Sequence, residues 1–250
     1  MPAPAPFADR LLAWWDHHGR KDLPWQHPRT LYRVWISEIM LQQTQVATVI
    51  PYFERWMQSF PDIFTLAAAT QDEVLAHWSG LGYYARARNI HEAASICRED
   101  HGGELPKTSA ELTTLPGIGL STANAIVSQA TDTPAAVLDG NVRRVLARHT
   151  AVEGWTGKAS VQTRLWNEAE ARLPGRRGAD YTQAVMDLGA LLCTRSKPQC
   201  ADCPVSEDCR ARIENRVTGL PSPKPSTKVS SQTVVMPILR DDAGRVLLEK

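Results

Sequence analysis

Four of the five cysteines in this 250-residue chain lie within residues 193–209, and their spacing is the strongest constraint on the fold. They are Cys193, Cys200, Cys203 and Cys209, separated by six, two and five residues. Thiolates this close along a chain suit one tetrahedral metal ion or one cubane cluster, so this segment is expected to fold around a metal centre. Four-cysteine zinc sites are common, but zinc ribbons usually have paired two-residue gaps and lie between strands. The choice of metal stays open at this point.

Helical patterns fill almost all of residues 7–213. Thr30 and Thr70 each stand where an N-cap is expected, directly before a helical run. Glycines end several of these runs, and no convincing strand-like alternation precedes residue 230. The sequence therefore predicts an all-α fold, in which most of the eight tryptophans pack in the core.

Net charge and hydropathy limit the possible partners. The 28 basic and 27 acidic side chains give a net charge of +1, so any surface that binds DNA must be a local one. No apolar run reaches the ~18 residues that a membrane span needs, and the N-terminus lacks the pattern of a signal peptide. We therefore expect a bacterial cytoplasmic protein with no membrane partner.

Two glycines form a tight turn between two helical runs in the sequence LPGIGLSTANAIV, at 115–127. Gly117 and Gly119 allow positive φ angles and remove side chains that would keep a ligand away from the backbone. Backbone N–H groups beside the start of the next helix then form an anion site that fits a DNA phosphate. An ordinary interhelical turn would use the same glycines, so the phosphate site gains support only from the rest of the chain.

Two carboxyl groups stand in positions that suit chemistry. Glu38 lies in the most apolar helical run, where its neighbours at helical spacing include no cation. Burial there should raise its pKa, as a general acid requires. Asp139 precedes a helix that starts near Val142 and could be its N-cap, but Asn141 could cap the same helix and leave Asp139 for chemistry. A purely structural role is the alternative for each carboxyl.

Together these features resemble those of the helix–hairpin–helix DNA glycosylases that carry an iron–sulfur cluster. The cysteine spacing, the LPGIG hairpin and an aspartate about twenty residues after it match that family. One branch, endonuclease III, combines glycosylase and lyase activity on oxidised pyrimidines, and the other contains the MutY-type adenine DNA glycosylases. The stretches SEIMLQQTQV, GLGYYARARN, LDGNV and LCTRSKPQC are similar to the adenine branch. The lyase branch has a Schiff-base lysine where this sequence has Ser121, which cannot form an imine.

The resemblance implies two all-α lobes that together cover roughly residues 7–213. A six-helix barrel would span 25–133 and contain the helix–hairpin–helix motif at 108–131. An iron–sulfur lobe would combine 1–24 with 134–213. One [4Fe–4S] cluster per chain would be held there by the four clustered cysteines, while Cys97 would be dispensable.

The composition changes after the two lobes. Three prolines among small polar residues indicate an extended linker over 214–231. Residues 232–250 show two β-rich runs around Asp-Asp-Ala-Gly, which predicts a hairpin. By resemblance this is the start of a MutT-like C-terminal domain, and we expect the chain to end inside that domain.

The resemblance also implies the reaction. The chain would act as a monomer on double-stranded DNA and remove adenine paired with 8-oxoguanine or guanine, after the adenosine is flipped out of the stack. Glu38 would protonate the base, Asp139 would stabilise or attack the oxocarbenium-like sugar, and Asn141 would orient the attacking group or the sugar. Ser121 would line the pocket. A bifunctional endonuclease III-like enzyme and a non-catalytic iron–sulfur DNA-binding protein are the alternatives.

Further residues would contact the DNA by the same resemblance. Tyr83 would wedge into the stack beside the lesion, since an aromatic ring can replace lost base stacking. Phosphate contacts or solvated charge are expected of Arg86 and Arg88, and phosphate contacts of Arg195 and Lys197 on the cysteine-rich loop. The residues expected at the estranged base and its neighbours are Gln42, Gln43 and Thr44.

Overall fold

The computed structural model describes residues 4–225, 233 and 238–246. These residues are mainly helical, which confirms the all-α prediction. The first six helices are α1 (Phe7–His18), α2 (Leu31–Leu41), α3 (Val46–Ser59), α4 (Ile63–Ala68), α5 (Gln71–Trp78) and α6 (Ala85–Asp100). The next six are α7 (Ser109–Leu112), α8 (Leu120–Thr131), α9 (Gly140–His149), α10 (Ala159–Glu170), α11 (Gly178–Asp187) and α12 (Arg210–Ile213). A π-helical turn at Leu188–Leu192 continues α11.

Side-chain caps determine where several helices begin. Thr30 Oγ1 accepts a hydrogen bond from the Arg33 N–H at 3.2 Å, and Thr70 Oγ1 accepts one from the Glu73 N–H at 3.3 Å. The Glu73 carboxylate accepts the Thr70 N–H in return, which completes a capping box at the start of α5. The structure thus confirms both threonine caps.

The first hydrophobic core is built from helices α2 to α8 and the segment before α2. Trp56 and Trp78 meet edge to face with their ring centroids 5.7 Å apart, and Trp25 meets Phe53 in the same way at 5.5 Å. Such aromatic pairs bury large apolar areas and gain further from their edge-to-face geometry. Helix α2 packs on α3, α6 and α8, so the helix that carries Glu38 is held firmly.

The second core is formed mainly by α1, α9, α10 and α11. The buried carboxylate of Asp187 links several segments of this core. It is 0% exposed and accepts hydrogen bonds from three other side chains. These donors are Trp15 Nε1 at 3.2 Å, Arg20 Nη2 at 2.6 Å and Gln183 Nε2 at 2.8 Å. A buried charge is tolerated when it is paired and fully hydrogen-bonded, as here, and this network ties α1 and the following segment to α11.

Helix α8 belongs to both cores. Ala123 and Ile126 pack in the first core, whereas Ala125 packs in the second. The buried Ser128 hydroxyl is hydrogen-bonded to the Thr182 hydroxyl of α11 at 2.8 Å. Because α8 packs on α2 and also on α11, the two cores meet along this helix.

The described residues after α12 contain little regular structure. Leu220, in the predicted linker, is buried, and its carbonyl accepts a hydrogen bond from Arg148 Nε at 2.9 Å. Arg240 and Val246 form one antiparallel bridge around the predicted turn. Most of the two predicted β-rich runs lies outside the described residues. None of the described helices is long and apolar enough to cross a membrane.

Gly178 begins α11 at a close approach to the loop before α9. A Cβ at this position would lie 2.5 Å from the Pro134 nitrogen and 2.6 Å from the Thr133 carbonyl carbon. We expect Gly178→Ala to push α11 away from this loop and lower the free energy of unfolding by about 1–3 kcal/mol, the usual cost of overpacking. Denaturant unfolding followed by circular dichroism measures the change. Gly175→Ala is the matched control, because a Cβ there meets nothing within 4 Å, and an equal loss in both variants would contradict the packing explanation.

Candidate active site

A cavity of about 730 Å³ opens between the two cores, beside the start of α8. Glu38 lines it from α2, Ser121 from α8, and Asp139 and Asn141 from the start of α9. Four residues from three separate segments of the chain therefore share one cavity. Cavities of ~300–1,000 Å³ are typical of sites for small organic ligands, so this one is large enough to receive a single such group.

Glu38 is largely surrounded by protein at the wall of this cavity. Its Oε1 accepts a hydrogen bond from Gln129 Nε2 at 2.7 Å. Burial raises the pKa of Glu38 to about 7; the Gln129 hydrogen bond opposes this rise, and the charge of Asp139 adds to it. A carboxyl with this pKa keeps its proton for much of the time at neutral pH, which is the condition that a general acid must meet.

Asp139 is the N-cap of α9, where its Oδ1 accepts the Val142 N–H at 2.8 Å. Burial raises the pKa of Asp139, while N–H donors of Val142 and Asn141 and the guanidinium groups of Arg144 and Arg143 act in the opposite direction. Of the two caps that the sequence allowed, Asp139 and Asn141, the structure has Asp139. The same carboxyl group still lines the cavity, so one side chain both caps a helix and faces the site.

Asn141 and Ser121 are held by neighbouring groups. Asn141 Oδ1 accepts a hydrogen bond from Arg144 Nη2 at 2.9 Å, and a Cβ added at Gly189 would lie 2.6 Å from the Asn141 Cβ. Ser121 Oγ accepts the Leu138 N–H at 2.8 Å, which ties the segment before α9 to the first turn of α8. No lysine is found among the described residues that line the cavity.

The glycine hairpin leads directly into α8. Gly117 has φ +78°, and a Cβ there would lie 2.9 Å from the Asn89 Cβ. Gly119 has φ −86° and is the N-cap of α8, with open space where its Cβ would be. Of the two glycines that allow a positive φ, only Gly117 adopts one. Because no side chain caps α8, its first N–H groups stay free for other partners.

Two turns beside α2 carry side chains that were predicted to contact a partner. The turn after α2 contains Gln42, Gln43 and Thr44, which line the cavity. The turn before α6 contains Tyr83, which is 60% exposed. Gln43 has φ +58° and Tyr83 has φ +50°. Residues other than glycine seldom adopt these angles, so the surrounding structure must hold both turns in place.

The buried side chain of Arg86 joins the two turns. It is 8% exposed, and its guanidinium carbon lies 5.5 Å from the centroid of the Tyr83 ring. Its terminal nitrogens donate to the carbonyls of Ile39, Met40, Gln42, Leu81 and Gly82 and to Thr44 Oγ1. This burial contradicts the predicted phosphate contact of Arg86, because both terminal nitrogens bind groups of the protein itself. Arg88, two residues later, is exposed.

The four clustered cysteines line one further cavity, next to α9 and the π-helical turn. Among the described residues, however, no group of three or more Cys, His, Asp or Glu side chains is arranged to hold a single metal ion. Four thiols that share one cavity are a donor set that fits an iron–sulfur cluster or a single zinc ion.

Arg148 shapes the loop that carries these cysteines. Its Nη1 donates to Cys193 Sγ at 3.4 Å and to the Thr194 carbonyl at 2.7 Å, and its Nη2 donates to the Arg195 carbonyl at 3.0 Å. The side chains of Arg195 and Lys197 are exposed on this loop. The loop is thus fixed from the inside by one arginine and presents two cations to solvent.

Residues 36–171 match the family model described as HhH-GPD superfamily base excision DNA repair protein. The chain belongs to this superfamily. It is 39% identical over 244 residues to the adenine DNA glycosylase of Buchnera aphidicola subsp. Baizongia pistaciae (strain Bp), with 98% of this chain and 69% of that protein covered. The adenine DNA glycosylase of Buchnera aphidicola subsp. Acyrthosiphon pisum (strain APS) is 44% identical over 210 residues, which cover 84% of this chain and 60% of that protein. The adenine DNA glycosylase of Homo sapiens is 45% identical over 215 residues, with 82% and 39% covered.

Solved structures share the fold of this superfamily member. A thermostable thymine-DNA glycosylase has a TM-score of 0.74 at 27% identity, with 83% of this chain and 95% of that chain covered. A non-covalent endonuclease III–DNA complex has a TM-score of 0.69 at 23% identity, with 83% and 94% covered. The chain spans 60% of the length of the Buchnera aphidicola strain APS relative and 39% of the length of the human one.

Several residues at or beside the cavity of this HhH-GPD superfamily member were not predicted from the sequence. Arg20 and Gln183 line it, and both are held by the buried Asp187. Gln129 reaches Glu38 from α8. No local pattern marks these residues, because Gln129 is 91 residues from Glu38 and Arg20 is 167 residues from Asp187 along the chain.

Arg86→Lys should loosen both turns, because one ammonium group cannot reach all the acceptors that the guanidinium binds. We expect amide hydrogen exchange in residues 42–44 and 81–84 to rise at least about tenfold, since hydrogen bonds from a charged donor contribute substantially to local stability. Exchange monitored by mass spectrometry measures this. Arg88→Lys is the control and should leave these rates unchanged. Wild-type exchange rates in Arg86→Lys would show that the turns hold their conformation without the arginine.

Proposed function

We propose that this chain is a monofunctional adenine DNA glycosylase that excises adenine paired with 8-oxoguanine or guanine. The proposal rests on the cavity in which Glu38, with a pKa of about 7, faces a second carboxyl group and no lysine among the described lining residues. Relatives named adenine DNA glycosylase, at 39% and 45% identity, support adenine as the base removed. Double-stranded DNA as the partner is supported by the fold shared with the endonuclease III–DNA complex.

The two carboxyl groups divide the reaction between them. The target adenosine first leaves the base stack, because its glycosidic bond cannot be reached inside a duplex. Protonated Glu38 gives its proton to N7 of adenine, and the glycosidic bond breaks with its electron pair moving to the base. Ionised Asp139 stabilises the positive charge that develops on the sugar, or bonds to it. Glu38, now a carboxylate, then activates a water molecule that completes hydrolysis.

The surroundings of the two groups support this assignment of roles. Asp139 has N–H donors of α9 and the guanidinium groups of Arg143 and Arg144 near it, and these favour its ionised form. Its negative charge in turn raises the pKa of Glu38. In the proposed reaction Glu38 carries the proton of the pair, and the donors around Asp139 favour its ionised form against the effect of burial. Asn141, fixed by Arg144, orients the attacking group or the sugar, and Ser121 lines the pocket.

The two alternatives fit the cavity less well. A glycosylase-lyase needs an amine that forms an imine with the sugar, and Ser121 supplies only a hydroxyl that already accepts the Leu138 N–H. A protein that only binds DNA needs neither carboxyl. A buried carboxyl with a strongly raised pKa costs stability, and such groups are concentrated at functional sites.

The DNA would lie across the mouth of the cavity. The side chains of the turn after α2, Gln42, Gln43 and Thr44, would contact the base opposite the adenine and its neighbours. The exposed Tyr83 ring would enter the stack beside the lesion. The groups proposed to contact phosphates are Arg88, the backbone of Gly117 and Gly119, Arg195 and Lys197. The protein would act as a monomer, since one chain contains every group that the reaction needs.

The four clustered cysteines would hold one [4Fe–4S] cluster per chain. Bound there, the cluster would supply a rigid centre for the loop 193–209 and no chemistry to base removal. Arg148 would hold the loop around it, and the exposed Arg195 and Lys197 would face the DNA backbone.

Glu38→Gln should reduce adenine release by about 10²–10⁴-fold, the range that general acid catalysis supplies. The glutamine keeps the shape of the side chain but has no proton to give, so DNA binding should stay near the wild-type level. Single-turnover excision on a duplex with adenine opposite 8-oxoguanine measures the first effect, and fluorescence anisotropy measures the second. Substantial excision by the variant would remove Glu38 from the role of general acid.

The same assay separates the proposed function from its alternatives. Wild-type protein should release adenine and leave a thymine glycol duplex intact, and borohydride should not trap it on DNA. Efficient trapping would favour the bifunctional alternative. Binding without release of any base would favour the DNA-binding alternative.

Purified protein should be brown and contain about four iron atoms per chain with little zinc. Cys200→Ser should lose most of the iron because one of four ligands is gone. Cys97→Ser is the control and should keep its iron, since Cys97 is buried in the first core, where burial raises its pKa to about 11. Elemental analysis decides the outcome, and one zinc per chain with no iron would refute the cluster.

A further inference from the structure

Gln129 is a buried amide that contacts the cavity's acidic group directly. It lies on α8 and is 3% exposed. Its Nε2 donates to Glu38 Oε1 at 2.7 Å across the packing of α8 on α2. Buried polar side chains are found where their polar atoms have partners, and this one has a carboxyl as its partner. The contact is unrelated to helix capping or to the ion pairs that hold the second core.

We propose that Gln129 is a positioning residue that determines which oxygen of Glu38 carries the transferable proton. This inference rests on the proposed function of Glu38 as a general acid. An amide N–H can only donate, so Oε1 must act as an acceptor towards Gln129. The carboxyl proton therefore sits on Oε2. Proton transfer to a base depends on the proton lying on the oxygen that faces it, because catalysis needs the two atoms within hydrogen-bond distance.

The same hydrogen bond adjusts the acidity of Glu38. A donor to a carboxylate stabilises its charged form, and the Gln129 contact accordingly lowers the pKa that burial and Asp139 raise. Without this donor the proton would be held more tightly and given up less readily. Gln129 thus keeps the acid strong enough to protonate a purine while burial keeps it protonated near neutral pH.

Few other charged groups face Glu38. Asp139, Arg20 and Arg143 line the same cavity. Helix α8, which packs on α2, has no charged residue between Leu120 and Thr131, so Gln129 is its polar contribution to Glu38. On the other neighbours of α2, Arg86 of α6 binds carbonyls at the end of α2, and Glu54 and Arg55 of α3 are exposed. A substitution of Gln129 therefore removes the neutral hydrogen-bond donor to Glu38 and leaves the charged side chains around Glu38 unchanged.

The test uses Gln129→Met, which keeps the length and volume of the side chain but has no N–H. Single-turnover release of adenine from a duplex with 8-oxoguanine is measured from about pH 5.5 to pH 9. Because release needs protonated Glu38, the rate falls as pH rises through its pKa. Loss of a donor to the carboxylate raises that pKa, so the alkaline fall should move upward by about one pH unit. The maximal rate should drop severalfold, because the less acidic carboxyl gives up its proton less readily and is no longer held in one orientation.

Ser128→Ala is the matched control. It removes the neighbouring buried hydrogen bond, to Thr182 on α11, and leaves the Gln129–Glu38 contact intact. A general loosening of α8 would affect both variants alike. A positioning role of Gln129 predicts that only Gln129→Met shifts the pH at which the rate of adenine release falls. If Gln129→Met does not fold, Gln129→Asn replaces it, because the shorter amide remains polar but no longer reaches Glu38.

A direct titration keeps this inference separate from the proposed function. The carboxyl carbon of Glu38, labelled with ¹³C and assigned by its absence in Glu38→Gln, is followed by NMR without DNA. The Gln129→Met protein should show a Glu38 pKa about one unit above that of the wild type. An unchanged Glu38 titration and an unchanged alkaline fall in Gln129→Met would overturn the proposal, even if adenine release itself is confirmed. A shifted titration in a protein that releases no base would instead reject the general-acid function and with it the positioning role.

Discussion

The packing of α8 between two hydrophobic cores is the interaction on which the rest of the structure depends. One side of this helix contributes Ala123 and Ile126 to the first core, and Ala125 contributes to the second. Glu38 comes from the first core and Asp139 from the edge of the second. Neither core alone would bring the two carboxyl groups to one cavity. The polar side chains of α8 complete the arrangement, because Ser121 holds the segment before Asp139 and Gln129 holds Glu38.

The two carboxyl groups of the cavity are both buried, and burial raises the pKa of each, but their neighbours differ. Glu38 lies on the side of α2 at the cavity wall and has one neutral donor, Gln129, so burial dominates its pKa. Asp139 sits at the N-terminus of a helix, where N–H groups and two arginines counteract the same effect. The difference comes from backbone geometry as much as from side chains. A helix side and a helix end that line one cavity thus give the two carboxyl groups different electrostatic surroundings.

The sequence predicted features that depend on local chemistry. Threonine caps, the all-α class and the unusual position of Glu38 in an apolar helix could all be recognised within a few residues of each site. The sequence could not predict that Arg86 is buried and Arg88 exposed. The two arginines lie on different faces of α6, and nothing in the local sequence shows which face is turned inward. The free carbonyls at the end of α2 decide this, and they lie 44–47 residues away. Gln129 and Asp187 escaped prediction for the same reason, since their partners are chosen by tertiary packing.

The left-handed turns at Gln43 and Tyr83 have a consequence for how this protein would search DNA. Holding two non-glycine residues at positive φ is costly, and that cost is met once, when the chain folds around Arg86. Contact with DNA then requires no further ordering of these turns, so little conformational entropy is lost at each encounter. With a net charge of only +1, the chain also has weak overall attraction to phosphates. If the two turns contact DNA as proposed, a rigid surface on a nearly neutral chain would favour brief visits to many undamaged pairs over long residence at any one of them.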